Sequence, residues 1–147
     1  MERAHSPLHH LIMDEPYFLI DGKRVAIVGS RDYGVWYDED GNKHQDLSEV
    51  REFIGSLPAC VTIISGGAKG VDTAAEQAAV EFDLSLKVWK ADWATYGKRA
   101  GMVRNRQIVD DADCVIAFWD GFSSGTKHTI EEARARGKFT IVFNERG

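Results

Sequence analysis

No stretch of this 147-residue chain approaches the roughly 18 consecutive apolar residues that a membrane-spanning helix requires. The start, Met1 to His10, carries charge and histidines but lacks the apolar segment of a secretory signal, which argues against secretion. Cysteine is scarce: Cys60 and Cys114 lie far apart, each beside or inside an apolar run. Without a signal peptide, such a pair reads as buried thiols in a reducing cytoplasm rather than as a disulfide framework. Net positive charge is missing too. Lys and Arg number 18 against 23 Asp and Glu, leaving −5 and a pI near 5.5. A dedicated nucleic-acid binder ordinarily presents a basic face, so this balance argues against nucleic acid as a partner. His5, His9 and His10 lie near one another, but no carboxylate or cysteine pattern completes a metal site, and nothing calls for a cofactor. Internal repeats and low-complexity linkers are absent.

What is present suits one domain. Hydrophobic residues make up 44% and aromatics 10%, which excludes a wholly disordered chain and supports one sizeable core. Residues 1–22 read as an N-terminal tail, in which Tyr17-Phe18-Leu19-Ile20 before Asp21-Gly22 suits a short strand and turn. Residues 23–147 read as the folded domain. There, Arg24-Val25-Ala26-Ile27-Val28-Gly29 is a continuous β-branched run, the mark of a strand buried on both faces. Val61–Ile64, Leu84–Trp89, Asp113–Phe118 and Phe139–Phe143 predict four more strands.

Between the strands, Leu47, Val50, Ile54 and Leu57 recur at helical spacing before Pro58. Val71, Ala74, Ala75, Ala78, Ala79 and Phe82 predict a helix whose small-residue face can approach a sheet closely. Met102, Ile108, Val109 and Ala112 predict a third helix, and Thr126 to Arg136 a fourth. This alternation predicts the α/β class, with one parallel sheet of about five strands and helices on both faces. Ligands of such sheets bind beyond the carboxyl ends of the strands, at a topological switch point.

The unusual residues sit in those loops. After the first strand, Gly29 permits a tight turn, Ser30 offers a hydroxyl and Arg31 can meet a phosphate bidentately; an ordinary polar turn is the alternative. After the second, Ser65-Gly66-Gly67-Ala68-Lys69-Gly70-Val71-Asp72 opens directly into the alanine-faced helix. Consecutive glycines there let backbone N–H groups cradle an anion in front of the positive helix end. The spacing matches neither the dinucleotide nor the P-loop fingerprint, and a turn needed only for close packing is the alternative. Asp72 suits a helix N-cap as well as a ligand contact.

After the third strand, the stretch from Ala91 to Arg106 is too long and too decorated for a simple connection. Trp93 and Tyr96 suit stacking on a base, and Arg99, Arg104 and Arg106 suit phosphates; the alternative is a lid packed by its own aromatics. After the fourth, Gly121, Ser123, Ser124, Gly125, Thr126 and Lys127 form a second candidate cradle at a helix start. Two such loops on neighbouring strands are more specific than either alone. Arg31, Lys69, Arg99, Arg104 and Lys127 are expected to converge on one rim of an otherwise acidic molecule.

Taken in order, Gly29-Ser30-Arg31, Ser65-Gly66-Gly67-Ala68-x-Gly70-x-Asp72, Ala91-Asp92-Trp93, Arg104-Asn105 and Trp119-Asp120-Gly121-x-Ser123-x-Gly125-Thr126 resemble the SLOG superfamily. The likeness runs from about Lys23 to Phe143. This superfamily includes the DprA/Smf DNA-processing proteins and the LONELY GUY phosphoribohydrolases, and the chain looks most like the small YspA/YpsA-related branch. The resemblance implies a Rossmann-like three-layer α/β/α fold, a homo-oligomer, and a nucleotide or nucleotide-derived small molecule as ligand. It implies that Ser30 and Arg31 contact phosphate or ribose. Gly66, Gly67 and Gly70, with Ser65, Ala68, Lys69 and Asp72, would cradle one phosphate. Gly125, Thr126 and Lys127, with Gly121, Ser123 and Ser124, would do the same from the neighbouring loop. Asp92, Trp93 and Asn105 complete the implied set, and Arg104 is a further phosphate or ribose ligand.

The resemblance also implies an enzymatic alternative, cleavage of the N-glycosidic bond of nucleoside 5′-monophosphates. The arginine of the LONELY GUY pattern falls on Arg104, but the glutamate two places after its Gly-Thr is His128 here. Glu131 and Glu132 lie about one helical turn further on, and the prolyl-diglycine becomes Asp120-Gly121-Phe122-Ser123-Ser124. A carboxylate stabilises positive charge developing on ribose, whereas a neutral imidazole does so poorly and is left with acid–base work. DprA-like binding of single-stranded DNA is a third class. It calls for a basic surface and an accessory domain, which this acidic chain does not display.

Overall fold

The structure, a computed structural model, describes residues 23–145; the expected tail strand at Tyr17–Ile20 lies outside them. The β-branched runs form the strands the sequence predicts: β1 (Arg24–Gly29), then, after an excursion described below, β4 (Thr62–Ser65), β5 (Ser85–Val88), β6 (Cys114–Trp119) and β7 (Phe139–Asn144). They make one five-stranded parallel sheet in the order β5-β4-β1-β6-β7. The chain therefore begins in the middle, builds outward to β5, and returns to the far side of β1. The order reverses between β1 and β6, and that is where an open α/β sheet leaves a crevice.

The period-two alternation of a strand divides β1 between two cores. Val25 and Ile27 face α1 (Ser48–Gly55) and α2 (Val71–Glu81), joining Val50, Phe53, Ile54, Ala75 and Ala79. Ala26 and Val28 face α4 (Ala100–Asp111) and α5 (Ser124–Ala135), joining Ile108, Val109, Ile130 and Ala133. Phe118 centres the first core: it stacks on Phe143 at 5.0 Å and meets Tyr33 and Phe53 edge-on at 5.5 and 6.1 Å. These elements bear out the α/β Rossmann-like expectation.

Two elements carry no periodicity that would announce them. Between β1 and α1, β2 (Val35–Tyr37) and β3 (Lys43–Gln45) form an antiparallel hairpin. Its side chains are largely exposed, so no apolar alternation marks it. Local chemistry holds it instead. The Asp38 carboxylate accepts from the Asp40 and Asn42 amides, both at 2.9 Å, and Trp36 stacks on His44 with ring centroids 4.4 Å apart. Gln45 Nε2 donates to the Arg31 and Tyr33 carbonyls at 2.8 and 2.9 Å, which anchors the hairpin to the end of β1. The second is α3 (Trp93–Tyr96), a single turn with no buried residue.

One cysteine departs from expectation. Cys60 is exposed rather than buried, because β4 starts at Thr62 and Cys60 falls in the preceding turn. Cys114, inside β6, is buried, and burial pushes its thiol up to about 12. No helix among the described residues is long and apolar enough to cross a membrane.

The glycines at the crevice serve close approach. A Cβ on Gly29 would fall 2.6 Å from both the Phe118 carbonyl oxygen and Val71 Cγ2. Gly70 has φ +82°, and a Cβ there would fall 2.5 Å from the Arg31 carbonyl oxygen. Gly125, by contrast, faces open space. Urea denaturation should therefore show Gly70→Ala destabilising the fold by about 2 kcal/mol or more, while Gly125→Ala stays within about 0.5 kcal/mol of the parent.

Candidate functional site

β1 ends at Gly29, and the next residue ties two loops together. The Ser30 amide donates to the Phe118 carbonyl at 3.0 Å, while its buried hydroxyl accepts from the Asp120 amide at 3.0 Å and lies 3.4 Å from Thr126 Oγ1. The loop after β6 is then shaped by its own side chains. The Asp120 carboxylate accepts from the Phe122 and Ser123 amides, both at 2.8 Å. Burial acts to raise this carboxyl, but those amides, with the Ser30 hydroxyl and the Asp120 amide, together outweigh it and hold the group below its ordinary value. Trp119 Nε1 donates to the Ser123 carbonyl at 3.0 Å. Ser123 caps α5: its hydroxyl accepts from the Thr126 amide at 3.4 Å, and its carbonyl from the Lys127 amide at 3.2 Å. The Ser124 and Gly125 amides of the first turn are left without a helical partner, at the positive end of a 12-residue helix.

The glycine loop after β4 is occupied from within. Asp72, 6% exposed, sits in the first turn of α2, and its Oδ2 accepts from the Ala68 amide at 3.2 Å. It is not the N-cap; that position is Gly70. Arg104, on α4, donates from its terminal nitrogen to the Gly66 carbonyl at 2.6 Å and from Nε to Asn105 Oδ1 at 3.1 Å. A Cβ on Gly66 would fall 2.9 Å from Asp72 Oδ2 and 3.0 Å from the Arg104 guanidinium, so these opposite charges converge over a residue that must lack a side chain. Burial pushes the Asp72 carboxyl up to about 6; the Ala68 amide and the Arg104 charge pull it back, and Glu76 adds to the rise. The loop thus already presents an amide to a carboxylate, which is a different arrangement from an empty anion cradle.

Asn105 links the two sides. Its buried amide donates to the Gly125 carbonyl at 3.3 Å and lies 3.3 Å from His128 Nδ1. His128 Nε2 points away toward Glu132, 3.5 Å distant and without a hydrogen bond. Glu132 is itself paired with Arg136 at 3.2 Å and Arg106 at 3.6 Å.

Between these loops lies a cleft of about 960 Å³ at the carboxyl ends of β1, β4 and β6. It brings together Gly29 and Arg31 from the first loop, and Ala68, Lys69 and Asp72 from the second. Trp93 enters from α3, Arg104 and Asn105 from α4, and Ser123, Ser124, Gly125, Thr126 and His128 from α5 and its cap. Other sequence-predicted residues lie off its wall. Ser30 is underneath, and the Ser65 hydroxyl turns to Glu76 at 2.7 Å. Gly66 lies beneath the Asp72–Arg104 pair, Gly67 packs toward Val88 and Lys90, and Gly70 packs against the Arg31 backbone. Asp92 caps α3 by accepting from the Thr95 amide at 3.1 Å. Gly121 serves a turn with φ +88°, and Lys127 is exposed outside the lining.

Of the cations expected on one rim, Arg31, Lys69 and Arg104 reach the cleft, while Arg99 is replaced by its neighbour Lys98. Sequence reasoning missed Val28, Gly101, Met102, Ile108 and Thr129 in the wall. Helical spacing from Arg104 and Asn105 points to Gly101 and Ile108, which share their face. No group of three or more His, Cys, Asp and Glu among the described residues is placed to hold a metal ion.

Comparison with protein-family models returns no match. The gene 61 protein of Mycobacterium phage D29 is 32% identical over 130 residues, covering 84% of this chain and 98% of the phage protein. Among solved structures, DNA processing protein A (DprA) from Streptococcus pneumoniae superposes with a TM-score of 0.63 and 23% identity over 81% of this chain. The chain spans about half of that protein, 49% of its length. DprA from Helicobacter pylori, described with a single-stranded DNA binding mode, gives a TM-score of 0.56 and 20% identity, covering 87% of this chain and 68% of that one. The protein TM1055 gives 0.55 and 21%, covering 80% and 72%. These neighbours share the fold that the SLOG resemblance implied.

Asp72 carries a folded-state acidity with a testable sign. Its carboxyl is raised to about 6 from an ordinary 3.8, so the folded state resists ionising it. Stability is highest below the ordinary value and falls as pH rises through the window up to about 6. Urea denaturation should show Asp72→Asn more stable than the parent at pH 8, by up to about 3 kcal/mol, with the difference vanishing near pH 4.

Proposed function

The chain belongs to the family of the phage gene 61 protein, and from that premise we propose that it binds a nucleotide or nucleotide-derived ligand in the cleft between β1 and β6. One observation carries the reading. The capped start of α5, with its Ser124 and Gly125 amides, opens onto a cleft at the switch point of a parallel sheet, beside Arg31, Lys69 and Lys98. Amides at a helix start together with exposed cations suit a phosphate, and Trp93, 62% exposed at the cleft, suits a base. The residue resemblance to the SLOG superfamily, and to its YspA-related branch, points the same way.

Hydrolysis of the glycosidic bond is less well supported. Asp72 is the one carboxylate in the described lining, and it stands on the glycine-loop wall rather than two places after Gly125-Thr126, where His128 sits. Glu132 stands behind His128 and is held by arginines. Nη1 and Nε of Arg104 are held by the Gly66 carbonyl and Asn105 Oδ1.

A second reading has its own observation. Trp93 and Tyr96 are exposed in the same segment as exposed Lys98 and Arg99, a mixture of rings and cations that suits stacked bases of a single strand. The Helicobacter pylori neighbour is described with a single-stranded DNA binding mode, which stands in mild conflict with the argument from net charge against nucleic acid as a partner.

A panel of nucleoside mono- and diphosphates, read by thermal shift with free base assayed in parallel, separates these readings. We expect stabilisation without base release, and Arg31→Glu should weaken binding at least about tenfold by placing an anion beside the phosphate. Base release abolished by Arg104→Ala would establish the hydrolase instead. Tight binding of oligothymidylate that weakens steeply with salt, with no response to mononucleotides, would favour the single-strand reading.

A further inference from the structure

The cleft has two chemically opposite ends, and this restricts what lies between them. At the α5 end are the Ser124 and Gly125 amides and the Ser123 and Thr126 hydroxyls, which suit an anion. On the other wall stands Asp72, a carboxylate. It is rigidly held, because Oδ2 accepts from Ala68, α2 carries it in its first turn, and the residue is 6% exposed. Glycine loops usually offer amides to phosphate, but here the carboxylate already occupies the Ala68 amide. A second anion at that point would meet Asp72 at close range in a site largely shielded from water.

A carboxylate has about four acceptor positions, so Asp72 retains acceptor capacity toward the cleft. What it demands is a hydrogen-bond donor. The neighbouring Arg104 directs Nη1 to the Gly66 carbonyl and Nε to Asn105 Oδ1, and no hydrogen bond between it and Asp72 competes for that capacity. A phosphorylated ligand that carries donors a short distance from its phosphate fits both ends. In a nucleotide those donors are the sugar hydroxyls.

We propose that Asp72 selects the sugar, accepting hydrogen bonds from the ribose cis-diol, so that the cleft takes ribonucleoside 5′-phosphates in preference to their 2′-deoxy counterparts. This rests on the nucleotide reading above. It assigns the glycine loop a role different from the phosphate cradle its composition suggests: the glycines make room for Asp72 and Arg104, and the carboxylate faces the ligand. The α5 end is then the phosphate seat, Asp72 the sugar contact, and Trp93 a platform for the base.

Isothermal titration at pH 7.5 with AMP, dAMP, GMP and dGMP tests it. The parent protein should bind each ribonucleotide about tenfold more tightly than its deoxy partner, the size expected for a hydrogen bond to a charged acceptor. In Asp72→Asn the ribo-to-deoxy ratio should fall to near one. A check that needs no substitution is 2′-O-methyl-AMP on the parent protein, because the methyl group removes the donor and should weaken binding to the level of dAMP. Equal binding of AMP and dAMP by the parent, a preference for the deoxy form, or undiminished binding of the 2′-O-methyl analogue overturns the sugar assignment while leaving nucleotide binding intact. An absence of binding by any of the four nucleotides overturns the nucleotide reading and this inference with it.

Discussion

The end of β1 has no room for side chains. Gly29 is pressed between the Phe118 carbonyl and Val71, and Gly70 lies against the backbone of Arg31 at a positive φ. These two contacts draw the loops after β1, β4 and β6 to one place, and the candidate site depends on that convergence. The alanine face of α2 allows the helix to settle close to the sheet, and the glycines let its first turn meet the end of β1. Ser30 completes the join, fastening the first loop to the last by hydrogen bonds to Phe118 and Asp120. Because protein interiors are close-packed, an added methyl group at either glycine would have to move backbone rather than a flexible tip.

Charge is then distributed around this join in a way the total does not reveal. The chain carries −5, yet Arg31, Lys69, Lys98 and Arg104 all reach one cleft. One of these cations is spoken for: Arg104 lies against the Gly66 carbonyl and next to buried Asp72, so it stabilises the protein's own loop. The others project from exposed positions. The balance gives the cleft a basic rim with a single fixed carboxylate in its wall. A small ligand with one anionic end and one donor-rich end matches that pattern better than a uniformly charged surface would.

The α4–α5 side shows how a motif changes meaning in three dimensions. Asn105 bridges the Gly125 carbonyl and His128, so the arginine-asparagine pair and the Gly-Thr helix start, 20 residues apart, act as one wall. His128 stands where the LONELY GUY pattern has glutamate. Glu132, four residues on, lies close to the imidazole but on its far side, held by Arg106 and Arg136. A helical register of one turn is enough to move a carboxylate from a cleft to a surface ion-pair network.

Strands buried on both faces must be continuously apolar, and helices packed on a sheet must repeat at helical spacing; these requirements are written locally. For that reason Arg24–Gly29, the alanine stripe of α2 and the runs at Cys114 and Phe139 were legible, as was the pairing of two glycine-bearing helix starts. The β2–β3 hairpin and α3 were not, because their exposed residues face no core and so bear no periodicity. Nor does local sequence say which glycines line a cleft and which merely permit contact. Gly66, Gly67 and Gly70 read as a cradle, but the fold lays Asp72 and Arg104 across the first, turns the second outward and packs the third on Arg31. Composition and spacing determined the layered α/β plan and pointed to the end of the sheet where the cleft lies. Which side chains face that space was decided only by tertiary structure, since it depends on partners up to 96 residues away, as for Ser30 and Thr126, and on backbones that meet closely at Gly29 and Gly70.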